Sequence, residues 1–177
     1  QGQYEAAGQL LEQLPEDSPG EIRTKLSAQV QLNKTAKNYA KALEQQTKLV
    51  ALLPSDPDAL YEQAMLAERL GKMDVAEAQL RKLIALKPDY HHAYNALGYS
   101  LADRGQKLEE AKSLIEKALS LAPGDPFITD SLGWAEYRLG NLARAAELLE
   151  SAYTKQPDPE IGAHLAEVLW KQGKTKS

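Results

Sequence analysis

The chain has no cysteine among its 177 residues, which excludes disulfides and thiolate metal sites and leaves the redox compartment open. Histidine is scarce as well, and two of the three, His91 and His92, are neighbours. Adjacent helical side chains point about 100° apart, so this pair is not expected to chelate one ion, and a surface or partner-facing role is expected instead. No apolar run approaches the roughly 20 residues of a membrane span. No basic run reaches five residues and the formal charge is −4, so the cationic face that nucleic acid requires is missing. There is no HExxH pair, no Gly-rich phosphate loop and no recognisable activated nucleophile. The expectation from these absences is a chain that is not an enzyme and carries neither cofactor nor metal.

What is present is a balance of 43% apolar and 26% charged residues, ordinary for a folded globular protein, and a strong internal period. Gly71, Gly105, Gly140 and Gly173 follow one another at spacings of 34, 35 and 33. Each closes a helical pattern, where left-handed backbone costs glycine nothing. Seven residues before each stands a small residue, Ala64, Gly98, Gly133 or Ala166, which lets two helices approach closely. The segments that follow keep the same time. Met73, Ala76, Leu80, Leu83 and Ile84 recur as Leu108, Ala111, Ile115, Ala118 and Leu119, and again as Leu142, Ala145, Leu149, Ala152 and Tyr153. These offsets share one helical face, and Pro88, Pro123 and Pro157 end the helices. Asp56-Pro57, Asp125-Pro126 and Asp158-Pro159 each pair an N-cap acid with proline at the first helical position.

The unit is thus two helices joined by a tight turn, and its period resembles that of the tetratricopeptide repeat. The resemblance covers 57–173 and implies an all-α, right-handed solenoid of about ten helices. Full repeats are expected at 57–88, 91–123 and 126–157, with a lone first helix at 159–173. A degenerate repeat is expected at 18–54, capped by Ser18, with Gln46 at a usually apolar position. Its first helix should end near Leu32, with Asn33 in place of the turn glycine. Residues 1–15 read as the second helix of a truncated repeat, and both ends read as cut from a longer array.

In this family the first helices line a concave groove that receives a peptide or a partner helix. Carried over by position, the resemblance implies groove residues Tyr61, Met65 and Arg69 on one first helix, and His92, Asn95 and Tyr99 on the next. On the third it implies Asp130, Trp134, Tyr137 and Arg138. Tyr94 falls on the usual packing position instead. The clamp by which tetratricopeptide co-chaperones hold a terminal carboxylate is not expected, because its places hold Tyr61, Met65, Ala96, Phe127 and Ser131.

A narrower resemblance rests on "HAYNALGYSLADR", "DSLGWAEYRLGNL" and "PDPEIGAHLAEVLWKQGK". These are similar to the closing repeats of large proteobacterial tetratricopeptide lipoproteins at the periplasmic face of the outer membrane. Some of those serve as adaptors that bring substrates to a carboxyl-terminal processing protease. The implied function is a non-catalytic protein-interaction module in the bacterial envelope, with a peptide or protein partner such as that protease or its substrates. A structural scaffold acting by self-association is the alternative.

Overall fold

A computed structural model describes residues 1–173, and within them ten α-helices and no strand. They fall into two compact units, Gln1–Lys87 and Pro88–Ser177. The first holds α1 (Gly2–Glu12), α2 (Pro19–Thr35), α3 (Tyr39–Leu52), α4 (Pro57–Arg69) and α5 (Met73–Leu86). The second holds α6 (His91–Asp103), α7 (Leu108–Leu121), α8 (Pro126–Arg138), α9 (Leu142–Lys155) and α10 (Pro159–Lys171). Within each unit, consecutive helices pack as pairs joined by tight turns, the helix-pair architecture of an α-solenoid.

The helix starts follow from the expected caps. Asp56 Oδ1 accepts from the Ala59 amide at 2.8 Å, and Asp125 Oδ1 accepts from Phe127 at 2.8 Å and Ile128 at 3.1 Å. Asp158 and Ser18 do the same for α10 and α2. Each cap satisfies amides that the helix itself leaves unbonded, typically worth about 1 kcal/mol. Gly71, Gly105 and Gly140 close α4, α6 and α8 with φ of 75°, 67° and 91°.

The turn after α2 corrects the sequence reading. The helix runs on to Thr35, and the left-handed residue is Lys37, at φ 59°, rather than Asn33. Asn33 stays helical, and its Nδ2 donates to the Gln29 carbonyl and to Gln45 Oε1. The longer helix absorbs the extra residues of this repeat. Gln46, at its usually apolar position, is buried and donates to the Ala59 carbonyl at 2.9 Å, so the amide is satisfied in the core.

Close approach at the small residues is literal. A Cβ on Gly98 would lie 2.6 Å from Ile115 Cγ1, and one on Gly133 would lie 2.8 Å from Leu149 Cγ. Ile115 and Leu149 are fully buried, as are Ala111 and Ala145 beside them. Leu149, Val168 and Leu169 form a core shared by α9 and α10, with Tyr137 packed against it. Tyr153 departs from the expected core face, because its ring lies largely exposed against Gly162 of α10. Tyr94 is buried and donates to the Pro88 carbonyl at 2.8 Å, consistent with its packing position.

Candidate partner-binding face

In the Gln1–Lys87 unit, α4 carries Tyr61, Met65 and Arg69. Tyr61 and Met65 are half-buried. Burial and the nearby carboxylates of Glu68 and Glu62 push the Tyr61 phenol up. Arg69 is exposed, but its guanidinium is engaged. It donates to Tyr39 Oη at 2.9 Å and lies 4.2 Å above that ring's centre, a cation–π contact that ties α4 to α3.

In the Pro88–Ser177 unit, three first helices meet through their side chains. Asp130 of α8 and His164 of α10 pair at 2.8 Å through Nδ1, and Tyr99 of α6 meets the other ring nitrogen at 3.2 Å. The Trp134 indole stacks on the His164 ring, with centroids 4.3 Å apart and planes 25° apart. Its Nε1 donates to Asp103 at 3.2 Å, and Tyr137 lies 5.0 Å away on the same helix. Tyr137 in turn donates to Glu167 of α10 at 3.3 Å, and burial and that carboxylate raise its phenol.

This arrangement divides the groove positions of the second unit. Trp134 is only 6% exposed and Asp130 is buried with it, so neither presents an open contact surface. The indole instead fills the space between neighbouring first helices. Tyr99, Asn95 and Tyr137 are half-buried, and Arg138 and His92 are exposed. Asn95 Oδ1 is a buried acceptor without a hydrogen-bond partner among the described residues.

His91 and His92 lie side by side at the start of α6. Their ring centroids lie 4.1 Å apart, with His91 half-buried and His92 exposed. Burial and the neighbouring His91 lower the His92 imidazole, and Asp125 opposes them. No group of three or more potential metal ligands occurs among the described residues.

The residue that sequence reasoning missed is His164. It sits one position beyond Ala163, the counterpart of Asp130 when each first helix is counted from its start, so that counting does not select it. The available signal was its separation of 34 residues from Asp130, one full period, which puts the two at the same height on consecutive first helices. Glu136 was missed as well. It is buried, accepts from Asn141 at 2.6 Å and pairs with Lys112 of α7 at 2.8 Å. Burial opposes its charge, but these hydrogen bonds and the Lys112 and Arg144 charges outweigh burial and hold the carboxyl low.

Paired helices with capped starts, glycine-ended turns and a lined first-helix face define a helical-repeat interaction protein. A model of the tetratricopeptide repeat matches residues 29–91, 61–126 and 131–176, and the chain belongs to this family. Proteins of the family bind protein or peptide partners. The TPR repeat-containing protein PA4667 of Pseudomonas aeruginosa is 48% identical over 114 residues, which is 64% of this chain and 19% of that protein. The chain therefore spans about a fifth of that relative. Among solved structures, MamA of Desulfovibrio magneticus matches with a TM-score of 0.76 at 19% identity over 89% of both chains. TTC0263 of Thermus thermophilus matches at 0.73 and 26% identity, over 89% of this chain and 84% of its own.

Proposed function

We propose that the chain binds a protein or peptide partner on its first-helix faces, without catalysis. The observation that carries this reading is the layering of the second unit. A buried floor of Asp130, Trp134 and His164 holds the half-buried Tyr99 and Tyr137 in place, and Asn95 and Arg138 lie on the same helices. Such a surface is ordered before the partner arrives, so little side-chain entropy is lost on binding. In the second unit His92 adds an exposed ring, and in the first unit Tyr61, Met65 and Arg69 supply the corresponding positions.

The finer reading is an adaptor at the periplasmic face of the outer membrane, serving a carboxyl-terminal processing protease or its substrates. Its support is the likeness of the α6, α8 and α10 strings to such lipoproteins. Self-association is the second reading, favoured by Trp170 at 71% exposure and Leu10 at 67%. The test is capture from envelope and cytosolic extracts by the chain and by an Asn95→Ala/Arg138→Ala variant, with circular dichroism confirming that both are helical. A partner lost with the variant supports the face, and the extract that yields it reports the compartment. Equal capture by both proteins removes the face from consideration, and mass that rises with concentration moves self-association ahead.

A further inference from the structure

Asp130 and His164 are a poor choice for a merely structural hydrogen bond. Both side chains are nearly enclosed, 8% and 11% exposed, and burying a carboxylate is costly unless a partner carries the opposite charge. An amide in place of His164 would make the bond without that dependence. Imidazole instead supplies a charge that comes and goes near neutral pH. The groups facing it are Asp130 from α8, Tyr99 and Asp103 from α6, and Glu160 from its own helix, with the Trp134 ring stacked on one side. All three charges are negative. Burial alone disfavours the protonated ring, but the hydrogen bond and charge of Asp130, helped by Glu160 and Asp103, outweigh burial and raise the pKa.

The Tyr99 contact does not distinguish the two protonation states, because a hydroxyl donates to a neutral Nε2 and accepts from a protonated one. The Nδ1 bond to Asp130 likewise persists in the neutral ring. What disappears with the proton is the ionic attraction across α8 and α10, together with the cation–π part of the Trp134 stack. We propose that Asp130 and His164 form a proton-operated fastening that holds α10 against α8 when the imidazole is charged and loosens it when the proton leaves.

The direction follows from linkage. Folding raises the proton affinity of His164, so its stabilisation is complete below the ordinary imidazole value of about 6.5. It is lost as the pH climbs through the higher folded value. The fastening stands independently of whether the face binds a partner.

The experiment is an NMR titration of the imidazole rings joined to amide exchange of α10, referred to α7 of the same unit. His164 is expected to titrate above the ordinary imidazole range and His92 below it. Asp130→Asn should lower the His164 value by a pH unit or more, a tenfold or greater loss of proton affinity. Exchange in α10 relative to α7 should rise several-fold across the titration in the unchanged chain and lose that step in the variant. In a Trp170→Phe background Trp134 is the sole indole, and its emission should brighten as the quenching imidazolium above it loses its proton. A His164 that titrates at or below the ordinary range overturns the proposal. So does a His164 that titrates high while α10 exchange stays level. Should Asp130→Asn fail to fold, the titration and exchange of the unchanged chain decide alone.

Discussion

Counted from Pro57 of α4 and Pro126 of α8, position nine holds a half-buried Met65 in one unit and a nearly enclosed Trp134 in the other, and their surroundings differ in kind. In Gln1–Lys87 neutral amides stitch the buried helix contacts, with the Arg69–Tyr39 contact and a Lys34–Glu62 ion pair nearer the surface. Asn33 donates to Gln45 at 2.7 Å, Gln46 to the Ala59 carbonyl, and Gln79 to a buried Gln63 at 2.6 Å. In Pro88–Ser177 the same work falls to aromatic rings and ionisable groups, in the Asp130–His164–Tyr99 set and the Lys112–Glu136–Asn141 set. A common repeat geometry is therefore compatible with two chemistries. The amide version is indifferent to pH across the ordinary range, whereas the His164 set gives up its positive charge, though not its hydrogen bonds, as the pH rises.

The largest contrast should appear at position nine itself. Trp134→Ala removes an enclosed indole and leaves Asp103 and His164 without their contact, so a loss of about 3–5 kcal/mol is expected. Met65→Ala, at a half-buried and adaptable side chain, should cost well under that. Denaturant unfolding of the two variants measures the difference, and equal losses would remove the distinction between the faces.

A smaller contrast lies at the packing position. Gly133→Ala places a methyl 2.8 Å from Leu149 Cγ and should destabilise by about 1–2 kcal/mol, less whatever helix propensity returns. At the matching site of the first unit Ala64 is already accommodated, so Ala64→Gly should also destabilise, by about 1 kcal/mol. The swap is informative because both directions are unfavourable. Either variant proving more stable in thermal melts would mean that the pairs relax more readily than their geometry implies.

The smallest effect concerns the α2–α3 turn. Lys37 occupies a left-handed backbone that Gly71, Gly105 and Gly140 occupy elsewhere. Lys37→Gly should stabilise the first unit by about 0.5–1 kcal/mol, read as a higher melting temperature. No gain would indicate that the strain at φ 59° is already compensated locally.

These comparisons also separate what the sequence discloses from what it hides. The period, the Asp-Pro caps and the glycine turns were legible because each is decided within a few residues. The end of α2 was not, since Asn33 is an acceptable turn residue, and its side-chain bonds to Gln29 and to the distant Gln45 are visible only in the fold. The groove stripe was legible as a set of positions. That Trp134 is enclosed while Tyr99 stays half-open depends on Asp103 and His164, which lie 31 and 30 residues away in the chain. His164 was hidden for the same reason: its three partners come from two other helices, and none is local in sequence.

The glycine contacts have a mechanical consequence. At Gly98 and Gly133 the paired helices meet with no room for an added methyl, and interlocked surfaces of that kind resist shear. Under tension, α6 with α7 and α8 with α9 would each behave as a stiff link. Extension would then concentrate at the joints after Leu121 and Lys155, which are spanned by side-chain contacts such as Trp134 to Asp103, Lys112 to Glu136 and the α9–α10 core rather than by a glycine interlock. A pulling trace on the second unit should accordingly yield in increments of whole helix pairs.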